Sequence, residues 1–109
     1  MSLIYDFDVD TVADLLKILA QNLQRRRLEK GWSRNSLSEI SSVPAATITK
    51  FEQKYTISLS SYVALAKALG YTRDIKELLS QPLYNTMEEL DVINRNKKRK
   101  RGGRIETRK

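Results

Sequence analysis

The stretch that decides the fold is residues 33–53, which read SRNSLSEISSVPAATITKFEQ. Ser33 is a favourable helix N-cap, and it begins a short helix that runs to about Ile40. The proline pushes Val43 out of helical geometry, and Pro44 itself suits the first position of a second helix, which runs to the end of the stretch. Two short helices around a tight turn have the spacing of a helix-turn-helix unit.

The second helix of this unit has two chemically different faces. Ile48 and Phe51 recur at helical spacing, so we expect them to face the core together with Val43. The opposite face carries Ala45, Ala46, Thr49 and Lys50, with Thr47 at its edge. This face has no acidic residue, and its small, hydroxyl and basic side chains suit close approach to base edges in a DNA major groove. Spacing alone leaves open the alternative of a solvent face in an ordinary helical bundle.

Capping signals and apolar spacing predict the other helices. A long first helix begins at an N-cap on Asp10 or Thr11, has apolar residues at helical spacing and ends at Gly31. Three more helices are bounded by Ser58 and Gly70, by about Asp74 and Leu79, and by a capping box at Thr86 and about Ile93. The apolar face of the helix after Ser58 is expected to contain Leu59, Tyr62, Val63, Ala66 and Leu69. The sequence therefore predicts an all-α fold of five or six helices.

The composition divides the chain into four segments. Residues 1–10 alternate in hydrophobicity like an N-terminal arm or short strand, and residues 11–80 contain the helix-turn-helix domain. Residues 81–94 form a short helical extension. Residues 95–109 hold nine basic residues and one acidic residue, whereas the rest of the chain is close to neutral. This composition predicts a disordered basic tail.

The absence of two residue types narrows the function. The sequence has no cysteine and no histidine. It therefore lacks the usual zinc ligands, a cysteine nucleophile and a Ser-His-Asp triad, and we expect no enzyme activity, no metal and no cofactor. No apolar run approaches the ~18 residues of a membrane helix, and the acidic segment 6–14 lacks the basic region of a secretory signal. We expect a soluble, cytoplasmic protein.

Several motifs resemble those of the phage-repressor-like helix-turn-helix regulators, the Xre or lambdoid repressor class. The resemblance extends from about Leu19 to Leu79, and its motifs are LQRRRLEKGWS at 23–33, TITKFE at 47–52 and LAKALG at 65–70. The chain departs from the family pattern at three positions. Arg34 replaces the usual glutamine, Ser42 the glycine of the turn, and Pro44 a serine or threonine.

The resemblance implies a dimeric repressor that binds a palindromic operator in double-stranded DNA. Arg34, Ala45, Ala46, Thr49 and Lys50 would face the DNA, and Thr47 would touch the backbone or a flanking base. Arginine at position 34 would shift recognition towards phosphate or guanine. The backbone amides near Ser33, at the start of the first helix of the helix-turn-helix unit, suit a phosphate.

The resemblance also implies an ion pair between Arg27 and Glu52. In the family these positions join the long first helix to the recognition helix, which here is the helix that follows Pro44. The pair would fix the recognition helix at a set angle, and the alternative is two solvated charges that contribute little to stability.

The basic tail has three possible roles. Its side chains Lys97, Lys98, Arg99, Lys100, Arg101 and Arg104 would contact phosphates beside the operator, which is the interpretation we favour. A nuclear import signal has the same composition, and the segment could also serve only as a solubilising end.

Within the family, the general layout and the basic end are most similar to HipB-like antitoxins. Such proteins repress their own operon and bind a HipA-like kinase toxin, which places the expected site of action at the bacterial nucleoid. Two alternatives remain open. One is an inhibitor whose main task is to bind another protein, and the other is a nuclear co-activator of the bridging-factor type.

Overall fold

The computed structural model describes residues 9–99, so all but the last two residues of the predicted arm (1–10) and the tail from Lys100 onwards lie outside the described residues. Residues 9–99 form six α-helices and no strand, which confirms the all-α prediction. The helices are α1 (Val12–Glu29), α2 (Arg34–Ser41), α3 (Ala45–Lys54), α4 (Leu59–Ala68), α5 (Thr72–Glu77) and α6 (Met87–Asn96). The chain divides into two compact units, one ending at Lys76 and the other beginning at Glu77.

The long helix α1 begins at a reciprocal capping box. The hydroxyl of Thr11 accepts the backbone N–H of Asp14 at 3.0 Å, and the Asp14 carboxylate accepts the backbone N–H of Thr11 at 3.1 Å. The first backbone N–H groups of a helix have no acceptor within the helix, and the capping box provides an acceptor for two such groups here. After the C-cap Lys30, Gly31 adopts a φ of +73°, a left-handed conformation that glycine takes at little cost.

The core of the first unit is formed by side chains of α1, α2, α3 and α4. Its fully buried large side chains are Leu37, Ile48, Phe51 and Leu65, and Val43 is buried beside them. The prediction that Ile48, Phe51 and Val43 face the core is confirmed. The Phe51 ring packs edge-on against Tyr62, with centroids 5.7 Å apart, and burial raises the pKa of the Tyr62 hydroxyl.

The predicted apolar face of α4 was partly wrong. Leu59 is 77% exposed, because it is the first residue of the helix and projects before the core begins. The core side chain of the helix is Leu65, which the predicted face did not include. Ala66 and Leu69 are buried as expected.

The turn between α2 and α3 contains two of the departures from the family pattern. Ser42 has a φ of +65°, the left-handed conformation for which glycine is the usual residue. The prediction that Pro44 is the first helical residue was wrong. Its ψ of 141° is extended and its carbonyl accepts the first helical N–H, so Pro44 is the N-cap and α3 begins one residue later.

The first half of α1 exposes several apolar side chains. Val12 is 73% exposed and Leu15 48% exposed, and Ile18 and Leu19 are also exposed. The residues of α1 that reach the core are Ala20, Leu23 and Arg27, so the buried part of the helix begins near its middle. The apolar spacing of this helix therefore continues beyond the part that the core covers.

In the second unit, α6 has half of the predicted capping box. The hydroxyl of Thr86 accepts the N–H of Glu89 at 3.0 Å, as a capping residue should. The Glu89 carboxylate accepts from the backbone of Asn85 instead of from Thr86. In the described part of the chain no helix is long and apolar enough to cross a membrane.

Candidate nucleic-acid interface

Helix α3 presents its small and basic side chains outward. Ala46 and Lys50 are exposed, and Ala45, Thr47 and Thr49 are half-buried or exposed at its edges. Glu52 is the sole acidic residue of the helix, and it is buried on the opposite side with Ile48 and Phe51. The outer face therefore carries a positive charge and no negative one.

A buried ion pair joins α1 to α3. The Nε of Arg27 donates to Oε2 of Glu52 at 2.8 Å, and its Nη2 donates to Oε1 at 3.0 Å. The Nη1 of Arg27 donates to the carbonyl oxygen of Trp32 at 2.9 Å. Both charged side chains are nearly inaccessible to solvent, so each depends on the other for its satisfaction.

Glu52 has a second cationic partner, which the sequence reasoning missed. The Nε of Arg34 donates to the same Oε1 at 2.9 Å, so the carboxylate joins two guanidinium groups. Oxygen acceptors have two lone pairs, and both hydrogen bonds to Oε1 are compatible with that capacity. A carboxylate buried beside one arginine could have suggested a second donor, but position 34 lies 18 residues away in the sequence.

A shallow depression lies where the starts of α2 and α3 meet. Its lining residues are Arg27, Ser33, Arg34, Asn35, Ala45 and Thr49. Four of the predicted DNA-facing residues therefore lie together here. The hydroxyl of Ser33 caps the N–H of Ser36 at 3.0 Å, which leaves the amides of the two residues between them without helical acceptors. Guanidinium, hydroxyl and free amide groups are those that bind phosphate oxygens.

A second depression lies on the other side of α3. Its lining residues are Thr47, Lys50, Thr56, Ile57, Ser58 and Ser61. Two predicted residues, Thr47 and Lys50, thus meet hydroxyl groups from the start of α4. The sequence reasoning used Ser58 only as a helix cap and did not select Thr56 or Ser61. The run of hydroxyl residues before α4 was the available signal.

Three of the predicted phosphate-binding residues of the tail fall within the described part of the chain. Lys97 is the C-cap of α6, and Lys98 and Arg99 follow it. The Nη1 of Arg99 donates to the side-chain oxygen of Asn96 at 3.0 Å. The other predicted phosphate-binding residues, Lys100, Arg101 and Arg104, lie outside the described residues.

A comparison with protein families gives a match for the part of the chain that contains α2 and α3. Residues 23–76 match a family model described as helix-turn-helix. This match supports an Xre/lambda-repressor-like helix-turn-helix domain at these residues, and with it a DNA-binding transcription regulator that binds double-stranded DNA. Proteins of this family are generally not enzymes. The comparisons with curated proteins and with solved structures gave no match.

Proposed function

We propose that the protein is a sequence-specific transcriptional repressor that inserts α3 into the major groove of a palindromic operator. The observation that carries this proposal is the outer face of α3, which has small side chains and Lys50 on its outside and its one carboxylate buried. A groove lined by phosphates favours such a face, because no negative charge has to approach the DNA. The small side chains leave room for base edges and thymine methyl groups.

The proposed contacts divide into two kinds. Arg34 and Lys50 bind acceptor atoms on guanine or phosphate, and Ala45, Ala46 and Thr49 pack against bases and their methyl groups. Ser33 and Thr47 lie in the two flanking depressions and contact the backbone. The basic tail adds phosphate contacts that are independent of sequence.

We also propose that the chain acts as a homodimer. A palindromic operator presents two equal half-sites, and a two-fold symmetric dimer places one recognition helix in each. The exposed apolar side chains of α1, which include Val12 and Leu15, support a contact with another protein surface.

As a narrower proposal, the repressor is the antitoxin of a toxin–antitoxin module that regulates its own operon and binds a HipA-like kinase toxin. An antitoxin of this kind needs a protein-binding surface apart from its DNA-binding face. The apolar side chains of α1 are on a different helix from the outer face of α3, which supports two separate surfaces. Growth rescue tests this proposal: where a HipA-like kinase is encoded beside it, the chain should restore growth to cells that express that kinase. Failure to rescue or to bind that protein contradicts the antitoxin role.

The repressor proposal is tested by selecting binding sites from a random duplex library with the full chain. We expect an enriched palindrome that binds two chains, measured by sedimentation of the complex. Lys50→Ala should weaken binding to that duplex by ~1–3 kcal/mol. Lys67→Ala removes the same charge from an exposed position on α4 and should leave the affinity nearly unchanged. A selection without any enriched sequence, or equal losses for both variants, contradicts the proposal.

A further inference from the structure

A hydrogen bond fixes the side chain of Arg34 to α3, while part of the same side chain remains exposed to solvent. The backbone of Arg34 begins α2, and its Nε donates to Oε1 of Glu52 on α3 at 2.9 Å. The side chain of Glu52 is 1% exposed, whereas that of Arg34 is 32% exposed. Glu52 therefore anchors a guanidinium group that still reaches the surface.

The charges of the cluster formed by Arg27, Arg34 and Glu52 do not cancel. Arg27 already forms two hydrogen bonds with Glu52 and is itself buried. Arg34 adds a second positive charge to the same carboxylate, so the cluster keeps one net positive charge. Within residues 9–99, the ion pairs of this cluster involve no second carboxylate. The uncompensated charge lies on the partly exposed member, Arg34.

The hydrogen bond to Glu52 uses the inner nitrogen of Arg34. Among the described residues neither terminal amino group of its guanidinium has a hydrogen-bond partner. These groups are at the far end of a planar fork, which matches pairs of acceptor atoms. The depression beside Arg34 is lined by Ala45 and Thr49, whose small side chains leave it open.

We propose that Glu52 is a positioning residue for DNA binding, which holds the Arg34 guanidinium so that its two terminal amino groups point to acceptor atoms of the DNA. The inference rests on the proposed function and extends it to a residue that does not itself touch DNA. A free arginine side chain loses rotamer freedom when it binds, and the anchor removes most of that loss before binding. The acceptors are either two phosphate oxygens or the O6 and N7 atoms of one guanine, which share this geometry.

A double-mutant cycle on Arg34 and Glu52 tests the coupling. Dissociation constants are measured by fluorescence anisotropy for the full chain, Arg34→Ala, Glu52→Gln and the double variant, well below all melting temperatures. The probes are the duplex recovered by selection and a scrambled duplex of the same length. Arg34→Ala should weaken binding ~10- to 100-fold. Glu52→Gln should weaken it ~3- to 10-fold when Arg34 is present and leave it unchanged in the Arg34→Ala background.

The outcomes of the cycle separate the inference from the proposed function. Equal effects of Glu52→Gln with and without Arg34 would mean that Glu52 acts only through the fold, and this overturns the inference. Tighter binding by Glu52→Gln also overturns it, because Glu52 would then compete with DNA for Arg34. A full chain that binds neither duplex contradicts the proposed function and the inference together. When the coupling is present, equal losses on both duplexes assign phosphate, and losses confined to the selected duplex assign guanine.

A second measurement does not require a variant of the buried carboxylate. Nitrogen-15 relaxation of the arginine side chains reports the mobility of each Nε–H group. In the free protein we expect Arg34 Nε to be as rigid as the backbone, and Arg73, exposed on α5, to be mobile.

Arg34→Lys retains the charge but lacks the fork, so it should lose most of the affinity that Arg34→Ala loses. A mobile Arg34 Nε, or full affinity for Arg34→Lys, overturns the inference.

Discussion

Arg27, near the end of α1, and Glu52, in the last turn of α3, are joined by two hydrogen bonds at 2.8 and 3.0 Å in the interior of the domain. The pair connects the scaffold helix directly to the helix that carries the proposed DNA-binding face. A third hydrogen bond, from Arg27 to the carbonyl of Trp32, attaches the segment between α1 and α2 to the same point. The inclination of α3 is therefore fixed by buried charges as well as by apolar packing.

Removing one member of this pair should destabilise the domain strongly. Arg27→Ala leaves the buried carboxylate with Arg34 alone, and we expect the free energy of unfolding to fall by up to ~3–5 kcal/mol, the limit for a buried charge that loses its partner. Arg26→Ala is the matched control, because Arg26 pairs with Glu29 on the surface and such pairs contribute ~0–1 kcal/mol. Urea unfolding of both variants measures the difference. Equal losses would contradict the structural role of the pair.

Ser42, the left-handed residue of the turn between α2 and α3, is a position where a substitution should stabilise the domain. Ser42→Gly should raise the free energy of unfolding by ~0.5–1 kcal/mol, because glycine adopts a φ of +65° without the steric cost that a Cβ brings. Ser38→Gly is the control within α2, where helical geometry makes glycine unfavourable by ~1 kcal/mol. Thermal unfolding that shows losses of similar size for both variants would contradict this explanation of the turn.

Several helix starts could be predicted because capping is local, whereas the start of α3 and the bounds of α5 differ from the prediction. Ser33, Ser58 and Thr86 each accept the backbone N–H three residues later, as the sequence pattern indicates. The side-chain environments were harder to predict. Leu59 and Leu65 are equally apolar, but only the packing of α4 against α2 decides that the second is buried. The first half of α1 has the spacing of a core helix, yet Val12, Leu15, Ile18 and Leu19 remain exposed.

The residues of the candidate site could be predicted from the sequence, but the hydrogen bonds between them could not. The outer face of α3 follows from helical spacing once Ile48 and Phe51 are assigned to the core. The hydrogen bond between Arg34 and Glu52 does not, because the two residues lie on different helices, 18 positions apart in the sequence. Only the placement of α2 against α3 brings the two side chains together.

The basic tail should contribute affinity without specificity. Deleting 97–109 removes eight basic residues and one acidic residue and no core side chain of the first unit. We expect an unchanged melting temperature for the helix-turn-helix domain and weaker binding to selected and scrambled duplexes alike. The slope of log affinity against log salt concentration should flatten by ~0.9 for each phosphate that the shortened chain no longer neutralises. An unaltered slope would contradict phosphate binding by the tail.

The central claim is that the outer face of α3 enters the DNA, and a charge placed on that face tests it most directly. Ala46→Glu introduces a carboxylate on the outer face of α3, and Gln21→Glu introduces the same charge at an exposed position of α1. Both variants should unfold at nearly the wild-type temperature, since neither position is in the core. Anisotropy with the selected duplex should show at least ~100-fold weaker binding for Ala46→Glu, because the carboxylate would face phosphates and bases without a partner. Gln21→Glu should bind within about 3-fold of the wild type, and equal affinities of the two variants would contradict the claim.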